Sequence, residues 1–462
     1  MEAFWDYSVW GFFNIFAILL MSLLVANALK KAIPVLEASL IPTSVLAGIL
    51  LLIVSMVYDQ FSPVKMFETP FFGENGYAYM EMITYHTLAL GFIAGSLKTT
   101  GGKLTKKRAT EIFNTGVTTV STYLVQGVVG MGITMLAAWI LPEFFAAAGL
   151  LLPFGFGQGT GQAMNYGNIY ESQFGFAGGK SFGLTVAALG FLSASIGGVI
   201  HLNILRKRGY IKSKKEQQTA IMENEIQSLD EIPMQESIDK FTIQVALIVL
   251  AYLLAYILMW LLGNILPGMR AVIYGFNFLL GVLAATLVKG VLNGLKKKGI
   301  AKREYTNNFL LTRASNFFYD IMVVAGIAAI RLDLIDDYWG ILLILGIAGL
   351  VVTYAYNRFV VNVLFREYRE EQFLAMYGML TGTASTGVIL LREVDGDFKT
   401  PVADNLVYQN FPAIAFGFPI MLLATLAPVK PVLTLILLAL IMLVQNVIQF
   451  RAQIFGKKKV KT

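Results

Sequence analysis

The chain has 462 residues, of which 56% are hydrophobic and 14% charged, with a mean hydropathy of +0.66. Soluble domains carry about 25% charged residues, so these values exclude an ordinary soluble protein. Cysteine is absent, which excludes disulfides, thiolate nucleophiles and cysteine-ligated metals. The net charge of +7 is not a nucleic-acid signal, because the basic residues sit in loops beside apolar runs.

In chain order, the N-terminus MEAFWDYS lacks the basic start of a signal peptide. Apolar runs near the ~20 residues that cross a bilayer predict spans at about 9–29, 41–58, 80–98, 115–139 and 182–205. Between the fourth and fifth lies LLLPFGFGQGTGQAMNYG, residues 150–167, where Gly155, Gly157, Gly159 and Gly161 alternate with Phe156, Gln158 and Thr160. Glycines this dense suit neither a stable helix nor a packed strand, but they suit backbone that bends or approaches a ligand closely. A charged linker, 206–240, is basic and then acidic, and reads as a connector. Further spans follow at about 241–265, 271–293, 307–330, 339–364, 409–427 and 432–450. A second glycine stretch, YGMLTGTASTG at 377–387, places Gly378, Gly382 and Thr383 where the first has Gly155, Gly159 and Thr160.

Irregular backbone at membrane depth is tolerated only under protein or beside a water-filled cavity. Two such segments in corresponding positions of two halves point to a transporter's binding site. The expectation is therefore an all-α membrane protein built as an inverted-topology repeat, each half having five spans and one re-entrant hairpin. The first repeat covers 1–205 with its hairpin at about 144–166. The cytoplasmic linker covers 206–240. The second repeat covers 241–430 with its hairpin at about 372–392, and 431–462 adds an extra span and a basic tail. With the N-terminus outside and the C-terminus cytoplasmic, only Lys65, Lys180, Arg270, Arg331 and Lys430 face out, and only Arg313 and Arg358 fall within spans. The other 29 of the 36 Lys and Arg are then inside or at the inner edge, which agrees with the positive-inside rule. Were 144–166 a span, the basic linker would face out.

A hairpin presents unpaired backbone groups mid-membrane. A helix N-terminus suits a carboxylate, and carbonyls at a C-terminal end suit a cation such as sodium. Neutral side chains add to this: Gln158, Thr160, Gln162 and Asn165 in the first stretch, and Thr381, Thr383, Ser385 and Thr386 in the second. Packing of small residues is the competing explanation of the glycines. The candidate substrate residues are Gly157, Gln158, Gly159, Thr160, Gln162, Gly382, Thr383 and Ser385, with Arg313 and Arg392 as cations. The candidate sodium residues are Thr160, Asn165, Thr381, Thr383 and Thr386.

Intramembrane charges are costly and usually functional. Arg313, Asn316 and Asp320 share a helix face by spacing, so they form either a polar face toward the site or an internal Arg–Asp pair. Arg392 either reaches an anionic substrate or marks the inner interface. Arg358 reads as snorkelling to the inner edge. His86 reads as a packing residue and, with Asp320, as the reserve proton carrier; His201 reads as structural. The sequence shows no metal-ligand cluster, no nucleophile with its base and no phosphate-binding GxxxxGK[ST]. An enzyme would need one of these.

The segment GQGTGQAMNYGNIYESQF, residues 157–174, the span after it to HLNILRKRG, and IPTSVLAGILLL at 41–52 resemble the glutamate:sodium symporter family of bacterial secondary transporters. The second glycine stretch resembles that family's second Gly/Thr-rich segment more loosely. Gln158 stands where the family pattern often has His, Gly161 and Gln162 replace alanines, and LLREVD and the extra last span also depart from it. The resemblance implies a multi-pass protein of the cell inner membrane and a homodimer. It further implies an elevator-type transporter, with a scaffold domain and a transport domain that carries both hairpins. It implies sodium-coupled uptake of glutamate or a similar anionic amino acid, with sodium as coupling ion and no other cofactor. Uptake of another carboxylate or amino acid, proton coupling, a channel and a sensor are the alternatives.

Overall fold

A computed structural model describes residues 3–98, 105–210, 238–300, 303–396 and 399–455. Most of the predicted linker and the whole of the KKKVKT tail lie outside the described residues. All regular structure among the described residues is helical. In chain order the α-helices are α1 (Tyr7–Ala32), α2 (Pro34–Ala38), α3 (Thr43–Phe61), α4 (Gly76–Leu97), α5 (Lys106–Ile140), α6 (Leu151–Phe174), α7 (Gly179–Lys207), α8 (Lys240–Ile265) and α9 (Arg270–Gly275). They continue with α10 (Asn277–Lys297), α11 (Asn308–Ala328), α12 (Trp339–Leu364), α13 (Arg369–Thr381), α14 (Ala384–Arg392), α15 (Val402–Tyr408), α16 (Asn410–Leu426), α17 (Pro431–Gln449) and α18 (Arg451–Phe455).

Long apolar runs of good helix formers account for these elements, and polar residues fix their starts. The Thr105 side chain accepts from Arg108 N, Asp239 from Phe241 N and Thr242 N, and Asn307 from Leu310 N, each satisfying an otherwise orphaned N–H. Among the described residues, eight helical segments are long and apolar enough to cross a membrane: Tyr7–Ala32, Thr43–Phe61, Lys106–Ile140, Gly179–Lys207, Lys240–Ile265, Asn277–Lys297, Asp336–Leu364 and Pro431–Gln449. The predicted spans at 80–98, 307–330 and 409–427 are also helical, as α4, α11 and α16, but fall outside that set. The chain is a multi-pass membrane protein.

Two compact units divide the described chain. One holds residues 3–28, 43–98, 238–300 and 303–329; the other holds 29–42, 105–210, 330–396 and 399–455. Each unit therefore takes segments from both sides of the linker. In the first, α4, α8, α10 and α11 bury a core of Ile93, Ala94, Leu97, Ile248, Ala251, Ala285, Val288, Leu311 and Ala314. In the second, a core runs from Leu202 and Leu205 of α7 through Val360 and Val361 of α12 to Phe373, Leu374, Tyr377, Leu380, Leu390 and Leu391 of α13 and α14. Both glycine stretches lie in this second unit.

Candidate functional site

The first glycine stretch is helical on both sides of a single break. Gly159 has φ 80° and ψ −172° within α6, a region that is essentially glycine-only. The chain turns back there. The rings of Phe154 and Tyr166 stack with centroids 4.0 Å apart, whereas twelve residues of unbroken α-helix would separate them by about 18 Å. Phe145 stacks on Phe176 at 4.7 Å and meets Tyr170 at 5.2 Å, so the entry and exit of the stretch lie side by side. The returning arm is anchored by Tyr166, whose hydroxyl donates to the Met421 carbonyl (3.0 Å), and by Tyr170, which donates to the Ala424 carbonyl (2.9 Å).

This corrects the expectation that the dense glycines oppose helix. Only Gly159 breaks it; Gly155, Gly157 and Gly161 remain helical. The reason is tertiary. The Tyr123 ring of α5 lies against Gly157 where a side chain would otherwise be, and its hydroxyl donates to the Gly157 carbonyl at 3.0 Å.

The second stretch breaks between α13 and α14. Thr381 closes α13, with its hydroxyl on the Tyr377 carbonyl (2.6 Å). Gly382 has φ −150° and ψ −106°, and extended Thr383 caps α14, accepting from Thr386 N at 3.4 Å. The two arms pack so closely that a Cβ on Gly378 would lie 2.8 Å from the Gly387 Cα. The end of α13 and the start of α14 thus present carbonyls and amides without intrahelical partners.

The two stretches approach each other at α7. A Cβ on Gly190 would lie 2.6 Å from the Thr381 carbonyl oxygen and 3.1 Å from the Phe156 ring. One glycine therefore lets the end of the first arm of α6 and the end of α13 approach the same point. From α5, fully buried Gln126 donates to the Leu380 carbonyl (2.9 Å) and the Thr353 hydroxyl (2.8 Å), so α5 braces both breaks, through Tyr123 and Gln126.

Of the sequence-predicted residues, Gly157, Gln158, Gly159, Thr160, Gln162, Asn165, Thr381, Gly382, Thr383 and Thr386 lie in this unit at or near the breaks. Thr160, Gln162, Thr381 and Thr386 are buried, and Gln158 is half-buried. The Gln162 carbonyl oxygen accepts from the Asn165 amide at 3.1 Å, while its Nε2 has no hydrogen-bond acceptor among the described residues. Ser385 lies in α14, its side chain outside the described residues. Arg392 ends α14, exposed, nine residues or about 13 Å of helix beyond Thr383. Arg313 belongs to the other unit, is exposed, and lies over the Phe309 ring at 5.1 Å. Asn316 and Asp320 are exposed in α11, and His86 Nδ1 meets the Tyr252 hydroxyl at 2.7 Å.

Arg358 has an ion-pair partner. Its guanidinium forks onto Glu370 at 2.7 and 2.9 Å. His201 Nε2 joins the same carboxylate at 2.9 Å, and its Nδ1 meets the Tyr354 hydroxyl at 2.8 Å. Glu370 is thus the shared partner of a guanidinium and an imidazole. The partner carboxylate lies twelve residues downstream, at the start of another helix.

Sequence reasoning missed Tyr123, Gln126 and Gly190. The signal for the first two was the run of hydroxyl and amide residues from Thr115 to Gln126 inside an apolar span. Gly190 carried none, being one small residue among many in α7. A search of curated proteins finds no match. The family model described as sodium/glutamate symporter matches residues 11–394, a range that includes both helix breaks and stops short of the last span. The helices that cross a membrane, the two converging breaks and this match identify a transporter: the chain belongs to the sodium/glutamate symporter family.

Proposed function

We propose that this protein is a sodium-coupled secondary transporter that imports glutamate or a similar anionic amino acid by alternating access. The observation that carries the reading is the approach of both helix breaks to Gly190 within one unit. Backbone amides at a helix start favour a carboxylate and carbonyls at a helix end favour a cation, so both ligand types have partners there. A sodium ion beside a bound carboxylate offsets part of the cost of holding an anion in low dielectric, and by linkage each ligand then raises the affinity for the other. Thr160, Gln162, Thr383 and Ser385 are read as substrate-side groups, and Thr160, Asn165, Thr381, Thr383 and Thr386 as sodium-side groups. Arg313 and Arg392 are assigned to substrate affinity.

In the same reading each glycine stretch is a re-entrant hairpin, entering from opposite faces, and the two halves form an inverted repeat. The unit that carries both breaks is the transport domain and the other the scaffold, in a homodimer of the cell inner membrane. The family membership and the charge asymmetry of the loops support this.

The test is uptake of labelled glutamate into proteoliposomes under an inward sodium gradient, compared with a choline gradient and a proton gradient. Saturable uptake that needs sodium is expected. Uptake that follows the proton gradient and ignores sodium would refute the coupling and turn attention to Asp320 and His86.

A further inference from the structure

Thr353 of α12 is held from two sides by amide side chains. Gln126 Nε2 donates to its hydroxyl at 2.8 Å and to the Leu380 carbonyl at 2.9 Å. Asn357 Nδ2 donates to the Thr353 carbonyl at 2.9 Å and reaches the Thr122 hydroxyl at 3.5 Å. A backbone carbonyl only accepts, so the end of each amide that touches one is nitrogen. The opposite ends, Gln126 Oε1 and Asn357 Oδ1, are therefore oxygens. Both residues are fully buried, and neither oxygen has a donor among the described residues. Buried acceptors without a donor are destabilising, and these two belong to side chains that bond the same threonine.

Their chemistry selects the partner. Both are neutral carbonyl-type oxygens that do not titrate between pH 4 and 10, so they do not take up a proton there. The groups that bond them in place, Thr122, Thr353 and the Leu380 carbonyl, are also uncharged. Hard oxygen ligands suit a hard cation, and without a carboxylate the set favours a monovalent one. Gln126 also ties this pair to the second break. The Leu380 carbonyl belongs to the last turn of α13, where carbonyls lack intrahelical partners and carry partial negative charge.

We infer that α5 and α12 supply a sodium-binding position beside the C-terminal end of α13, with Gln126 Oε1 and Asn357 Oδ1 as ligands. The choice of sodium rests on the proposed coupling; the ligands go beyond it, since neither residue belongs to a glycine stretch.

The test is melting temperature of the purified, substrate-free protein, titrated with sodium chloride against choline chloride at constant ionic strength. The parent protein is expected to gain stability with sodium. Gln126→Leu and Asn357→Leu should raise the half-saturating sodium concentration at least tenfold. Asn357→Asp adds a charge but loses the Nδ2 donor to the Thr353 carbonyl, so it should shift the half-saturating concentration away from the parent value; it decides the matter where the leucine variants do not fold. Half-saturation unchanged in all folded variants, or a parent protein indifferent to sodium, would overturn the inference. Proteoliposome uptake by the same preparations separates the two claims. Sodium-driven uptake in the parent with unaltered sodium affinity in the variants removes this site and leaves the coupling standing. Uptake indifferent to sodium removes the coupling, and a sodium-insensitive melting temperature then removes the site by its own readout.

Discussion

Replacing Gly159 by Ala tests whether the first break is a working part or a packing accident. At φ 80° and ψ −172° any Cβ is strained, at a cost of roughly 1–3 kcal/mol. The protein cannot fold away from that cost without moving the break, because the Phe154–Tyr166 stack and the Tyr166 and Tyr170 hydroxyl bonds fix both arms. The strain therefore falls on the conformation that presents the break. A penalty of that size depletes it by about 5- to 150-fold. Initial rates of sodium-driven glutamate uptake in proteoliposomes should fall by that range, while the purified variant keeps its parent elution volume. Gly132→Ala in α5 is the control, since a Cβ there meets nothing within 4 Å and alanine is the better helix former; it should transport like the parent. Parent-like uptake by Gly159→Ala would refute the argument that this backbone geometry carries the function.

Gly190→Val should abolish uptake, because its Cβ would lie 2.6 Å from the Thr381 carbonyl and would push the second break away from the first; uptake above half the parent rate would show that the approach is dispensable. Thr383→Ala removes the cap of α14, which costs about 1 kcal/mol, and should weaken the sodium dependence of uptake, read as a higher half-saturating sodium concentration; an unaltered sodium curve would exclude Thr383 from the coupling. Glu370→Gln keeps the side-chain shape but removes the charge that Arg358 and His201 share and should lower the melting temperature of the purified protein; a parent-like melting temperature would show that the cluster adds nothing to stability.

Much of the site's outline was legible in the sequence. Period and apolar length depend on consecutive residues, so the helices of the spans followed from the chain itself. The two glycine stretches were visible for the same reason, and so were the threonines and amides within them. Which glycine bends was not legible, because four alternate within seven residues and local preference treats them alike. Tyr123 settles Gly157 by packing against it, and Gly159 is left as the bend. The partner of Arg358 was not legible, because Glu370 sits in another helix.

The sequence alone determined that this is a membrane-embedded helical protein with two irregular, neutral, oxygen-rich stretches, because hydropathy, helix propensity and glycine content act over neighbouring residues. Tertiary structure alone decided that both stretches belong to one unit drawn from both sides of the linker, that they approach each other at Gly190, and that Gln126 of α5 reaches the second of them. Those facts join residues as far as 254 positions apart, and only packing of whole helices, which no local pattern encodes, brings such residues into contact.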